Sequence, residues 1–339
     1  MALILLLLGI LVNVLVFTDG QSVGVCYGEF GAPLPSPEDV VNLYKTNGIT
    51  RMRIYAPNQT TLRALGGTNI ELILDVPNGS LQSLTDPNTA TTWVRNNVLN
   101  YRNVKFRYIS VGNEVDPDDP KTQRFKTFVL PAMINVHNAL KDAGLANQIK
   151  VSTATYTGLL KLSHPPSDGV FDDNVIGYIR PIIAFLAETG SPMLANIYPY
   201  FAYIGTPKEY QDLPFALFTR STPAYDDKGR KYYNLFDAMY DAHYAAQSRL
   251  GGANVEIVVS ESGWPSFGQE VATRDNAGTY YRNLISHLKS SSGTPVRPRR
   301  SIETYLFAMF DENNKTGSVT EKHFGVFFPD KVPKYGLRF

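Results

Sequence analysis

The stretch Phe106-Arg107-Tyr108-Ile109-Ser110-Val111-Gly112-Asn113-Glu114 opens on aromatic and β-branched residues and closes on an acid. Residues 106–111 lack the clean apolar–polar alternation of a strand with one wet face. They read as a strand buried on both faces of a parallel sheet. Seven further runs share that character: residues 23–27, 52–55, 70–76, 149–155, 193–198, 255–260 and 304–310. Segments with helical spacing fill most of the intervals. Ser36 before Pro37 marks a helix start that continues through Lys45. Residues 125–142 place Phe125, Phe128, Val129, Met133, Val136 and Leu140 on one face and stop before Gly144. Residues 178–187, 235–250 and 273–288 follow the same logic, and the last helix reads as short or missing. Eight such strands with intervening helices predict an α/β fold, a single (β/α)8 barrel over residues 21–339. Residues 157–173 and 198–233 are too long for plain connections and are expected to shape the binding face.

Residues 3–17 are almost continuous Leu, Ile and Val, and Thr18 to Ser22 are small or polar. This predicts a secretory leader over residues 1–20, cut before Gln21. No Lys or Arg precedes the apolar run, which leaves a retained signal-anchor as the alternative. Lys plus Arg number 32 against 31 Asp plus Glu, so neither nucleic acid nor a membrane surface is expected as a partner. A single cysteine, Cys26, allows no internal disulfide in a secreted chain and reads as a buried core thiol. The five His residues lack metal-ligand spacing, so no metal or other cofactor is expected. Nothing suggests obligate oligomerisation, and a monomer is expected.

Chemistry in a (β/α)8 barrel sits at the C-terminal ends of its strands. Glu114 lies just past the fourth run, and Glu261 ends the seventh, VEIVVSE. Two carboxyls across one barrel mouth suit glycoside hydrolysis, in which one protonates the leaving oxygen and the other attacks the anomeric carbon. A retaining enzyme needs them about 5–5.5 Å apart, which facing strand ends can supply. The acid needs a raised pKa, whereas the nucleophile stays ionised. The Asn113 amide beside the acid is suited to bonding the sugar 2-hydroxyl. Tyr55 and Tyr198 end the second and sixth runs. With Phe201 and Phe324 on nearby loops they are candidates for sugar stacking, against core packing as the alternative. Trp264, just after Glu261, reads as packing.

The segment VEIVVSESGWPSFG at 255–268 resembles the signature of family 17 glycoside hydrolases, the plant β-1,3-glucanases. VCYG (25–28), RMRIY (51–55), LDVPN (74–78), YISVGNEV (108–115), KVSTA (150–154), NIYPYF (196–201) and FDENNKTG (310–317) extend the likeness over the mature chain. The resemblance implies Glu261 as nucleophile and Glu114 as acid/base. It further implies that Glu312, Lys315 and Glu321 hold sugar hydroxyls and tune the pair; from the residues alone these three read as a surface salt-bridge cluster. The implied activity is endo-hydrolysis of β-1,3-glucan, callose or fungal wall polymer, in the extracellular space or wall. Competing readings are a 1,3;1,4-β-glucanase of the same family and a secreted glucan-binding protein without turnover. Sequons occur at Asn58, Asn78 and Asn314. The first two are open to glycosylation; the third is expected bare, because a glycan there would block the cleft.

Overall fold

Every predicted run supplies one strand of a closed parallel barrel. The strands are β1 (Val23–Tyr27), β2 (Arg51–Ile54), β3 (Glu71–Val76), β4 (Lys105–Asn113), β5 (Lys150–Tyr156), β6 (Met193–Asn196), β7 (Ile257–Ser262) and β8 (Thr304–Leu306). They pair in sequence order, and β1 closes the ring against β8 through Val23 and Thr304. Their residues are almost uniformly buried, which explains the missing alternation: one side faces the barrel interior and the other the helices. The structure is a computed structural model describing residues 23–210 and 212–339, so the leader expected at 1–20 lies outside the described residues.

Nine helices occur among the described residues: α1 (Pro37–Thr46), α2 (Gln59–Leu65), α3 (Pro87–Asn97), α4 (Lys126–Asp142), α5 (Asp173–Thr189), α6 (Pro199–Gly205), α7 (Leu213–Ala216), α8 (Leu235–Arg249) and α9 (Arg274–Lys289). Ser36 caps α1 by accepting the Asp39 N–H, with Pro37 in the first turn. Helix α5 starts five residues before its expected position, because the Asp172 side chain caps it by accepting the Asn174 N–H. Helices α2 and α3 were not foreseen. The first is short, and the second buries only Ala90 and Val94, too thin a stripe to show as a period. After β8 the only helical turn described is the 3-10 segment Val319–Lys322.

The two long connections carry structure of their own. The first contains a small hairpin, Leu160–Leu162 with Val170–Phe171. The second contains α6, α7 and the hairpin Tyr225–Asp227 with Arg230–Tyr232. Both stand over the C-terminal mouth of the barrel and wall its cleft.

Two irregularities interrupt the register of the barrel close to its mouth. Between Ser110 and Asn113, β4 spends three residues where β5 spends two (Ser152 to Ala154). Between Val259 and Glu261, β7 spends two where β6 spends one (Ala195 to Asn196). Each is a β-bulge, which bends a strand and re-aims its side chains. One comes just before Glu114 and the other ends at Glu261.

Candidate active site

Glu114 and Glu261 line one cavity of about 290 Å³ at the barrel mouth, together with Tyr55, Asn113, Tyr198, Phe201, Glu312, Lys315, Glu321 and Phe324. All ten residues nominated from sequence are therefore brought together. A second cavity of about 1050 Å³ joins it at Glu114, Tyr198, Phe201 and Glu321 and runs beneath the two inserted segments. The result is an elongated, open cleft with the carboxyl pair inside it.

Glu261 is held by three donors. Arg53 Nη1 (2.9 Å) and the Tyr55 hydroxyl (2.7 Å) donate to Oε1, and the Tyr198 hydroxyl (2.7 Å) donates to Oε2. The three bonds fix the orientation of the carboxyl. The Glu114 carboxyl has one hydrogen-bond partner among the described residues, Asn196 Nδ2, at 2.8 Å from its Oε1. Burial first, and the charge of Glu261 second, push the Glu114 carboxyl up to about 7. Its backbone is left-handed, with φ +49°, a conformation that costs a non-glycine residue roughly 1–3 kcal/mol.

Arg53 is the residue that sequence reasoning passed over. It is fully buried at the floor of the cleft and gathers carboxylates and amides from four other strands. It pairs with Asp75 through both carboxylate oxygens, at 3.2 and 2.7 Å. It also donates to Asn113 Oδ1 (2.8 Å), Asn196 Oδ1 (3.3 Å) and Glu261. Burial pushes Asp75 up to about 6 against the pull of this guanidinium. The signal was an Arg inside an otherwise apolar strand, a position that demands an ionic partner. Asn196, at the end of β6, was missed as well. With Asn113 Oδ1 taken by Arg53 and Asn196, its Nδ2 makes no bond among the described residues and remains available to a hydroxyl in the cleft.

The aromatic expectations divide. Tyr55 and Tyr198 point their hydroxyls at Glu261, so they are anchors of that carboxylate rather than stacking platforms. Phe324 is only 2% exposed and packs edge-on to Tyr198 and Phe307, which makes it a wall of the site and corrects its nomination for stacking. Phe201, 40% exposed, does offer an open face. Phe30, not foreseen, also lines the cavity and is 55% exposed. Trp264 is fully buried, as is the Cys26 thiol, whose Sγ faces the Ser260 carbonyl.

Lys315 lies 2.8 Å from Glu312, 3.5 Å from Glu321 and over the Phe307 ring at 4.3 Å. The ion-pair cluster is thus real, but it lines the cleft instead of decorating a solvated surface. Burial raises the Glu312 carboxyl while Lys315 opposes it, and Oε1 has no hydrogen-bond partner among the described residues. Gly28 makes the room: a Cβ there would fall 1.6 Å from Glu312 Oε1.

A parallel barrel with two carboxyls in an open cleft at its C-terminal mouth has the architecture of a glycoside hydrolase. The model for glycosyl hydrolases family 17 matches residues 23–339, and the chain belongs to that family. It is 57% identical to a glucan endo-1,3-beta-glucosidase of Vitis vinifera over 338 residues, covering 99% of this chain and 97% of that one. An acidic isoform of the same activity from Nicotiana tabacum is 53% identical over 338 residues, 99% of this chain and 96% of its own. Among solved structures, a β-1,3-glucanase and pollen allergen of Cryptomeria japonica superposes with a TM-score of 0.91 at 45% identity, covering 94% of this chain and 99% of that chain. One of two plant β-glucan endohydrolases with distinct substrate specificities superposes at 0.88 with 44% identity, covering 93% and 100%.

Proposed function

We propose that the chain is a retaining endo-hydrolase of internal 1,3-β-glucosidic bonds in β-1,3-glucan, acting as an exported monomer on wall polysaccharide. The observation that carries this reading is the contrast between the two carboxyls. Glu261 is held by three donors, whereas Glu114 keeps its proton to about 7 a short way across the same cleft. In the first half-reaction a Glu261 oxygen bonds to the anomeric carbon as the glycosidic C–O bond breaks. Glu114 gives its proton to the departing oxygen. In the second, Glu114 takes a proton from water, the water oxygen bonds to the anomeric carbon, and Glu261 is released. The unbonded Asn113 Nδ2 is positioned to bind a sugar hydroxyl, and Glu312 with Lys315 supports others. An elongated cleft lined from Phe30 to Tyr210 supports endo action. The 1,3 linkage is supported by relatives of 53–57% identity that carry that activity in their names. Export is supported by the leader-like residues 3–17.

The test is product analysis on laminarin for wild type and Glu261→Ala, with and without azide. Wild type should release short oligosaccharides. The variant should be inactive and regain turnover with azide, giving an α-glucosyl azide. Release from mixed-linkage glucan but none from laminarin would overturn the linkage, an azide product of β configuration would overturn Glu261 as the nucleophile, and wild-type products with an α configuration at the new reducing end would overturn retention.

A further inference from the structure

We infer that Asn78 is a positioning residue for the Glu114 carboxyl, and that its sequon stays unglycosylated because the side-chain amide is already committed. This rests on the reading of Glu114 as the acid/base.

Strand β3 pairs with β4 up to Val76, opposite Val111. There β3 ends and the chain turns through Pro77 into the 3-10 segment Asn78–Ser80. Two residues further along β4, Asn113 has lost its backbone partner on that side. The Asn78 side chain replaces it. Its Oδ1 accepts the Asn113 N–H at 2.9 Å, and its Nδ2 donates to the Asn113 carbonyl at 2.8 Å. One amide thus makes both bonds of a strand neighbour and carries the ladder one step beyond the end of β3.

That step falls where β4 is least regular. Asn113 sits at the β-bulge, between Gly112 at φ +83° and Glu114 at φ +49°. Gly112 adopts its conformation freely, but Glu114 does not, and its strain must be over-determined by surrounding bonds. On the β5 side the Glu114 N–H donates to the Ala154 carbonyl at 2.9 Å. On the β3 side the clamp is Asn78. A Cβ on Gly112 would lie 3.3 Å from Asn78 Oδ1, so the amide is closely fitted.

The same amide belongs to the sequon Asn78-Gly79-Ser80. Both clamp bonds use one edge of the amide, so the Nδ2 hydrogen engaged is the one beside Oδ1. A glycosidic bond to Nδ2 would replace that hydrogen and set a sugar against the Asn113 carbonyl. Clamp and glycan are mutually exclusive.

The test compares kcat/KM on laminarin, whose leaving group needs a proton, with that on 2,4-dinitrophenyl β-laminaribioside, whose leaving group departs without one. Asn78→Asp keeps the acceptor and loses the donor; Asn78→Ala loses both. Each should lose about 10–100-fold on laminarin, the cost of a misplaced catalytic group. Each should lose less than about threefold on the dinitrophenyl substrate, which needs no general acid. That retained turnover also certifies folding. Equal losses on the two substrates, or no loss on laminarin, would overturn the inference. Glu114→Gln is the reference: if it does not separate the substrates in the same direction, the acid assignment fails and takes the inference with it. Peptide mass analysis of chain secreted from a glycosylating host should find Asn78 unmodified, with Ser80→Ala equal to wild type in activity. A glycan on Asn78 of fully active enzyme would refute the exclusion.

Discussion

Glu114→Gln should make the protein more stable at pH 8 and leave it unchanged at pH 4. In the unfolded chain a Glu titrates near 4.5, whereas burial and Glu261 hold Glu114 to about 7 in the fold. Below 4.5 the group is protonated in both states. Between 4.5 and 7 the folded state keeps a proton that the unfolded state has lost, so stability falls as pH rises through this window. Above 7 the full penalty is present. The difference between about 7 and 4.5 corresponds to about 3 kcal/mol. Glutamine carries no charge at any pH and keeps an oxygen for Asn196, so it removes the penalty without opening a cavity. For a chain of this length the unfolding entropy is about 0.7 kcal/mol/K, which converts 3 kcal/mol into roughly 4 °C of Tm. Calorimetry of both proteins at pH 4 and pH 8 measures it. An equal Tm difference at the two pH values, or a variant less stable at pH 8, would refute the claim that Glu114 is buried against a like charge.

Gly28→Ala puts a methyl group where Glu312 Oε1 lies, so the Glu312 carboxyl must shift; KM for laminarin should rise by about tenfold if one charge-assisted hydroxyl contact is lost, as steady-state kinetics will show. Arg53→Met leaves Asp75 buried without its partner and should cost about 3–5 kcal/mol in denaturant unfolding, with activity lost because Glu261 loses a donor; a cost within about 1 kcal/mol, the order of an exposed ion pair, would contradict the buried network.

The barrel was legible because its eight strands are buried on both faces and so appear as short, continuous apolar runs. Glu114 and Glu261 were legible because the fold confines chemistry to strand ends, where acids are few. Arg53 was not, because its meaning depends on Asp75, Asn113, Asn196 and Glu261, up to 208 residues away in the chain. Tyr55 and Tyr198 were placed at the mouth, but their direction was open: a ring at a strand end can present its face to a sugar or its hydroxyl to a carboxylate. The small hairpins of the two inserted segments gave no period, since strands of two or three residues complete none.

The bulges in β4 and β7 set the resolution with which this scaffold can place its reactive atoms. A regular closed sheet behaves as a lattice: side chains can be moved along a strand only in whole-residue increments of about 3.3 Å, and each odd increment reverses the face. The carboxyl separations of the two stereochemical courses differ by as little as about 1 Å, less than such a step. An extra residue on each of two strands works as a vernier. It frees the placement of Glu114 and Glu261 from the regular register, which shifts just before each of them. Redesign of this barrel for other sugars should therefore leave the two register shifts, between Ser110 and Asn113 and between Val259 and Glu261, unaltered.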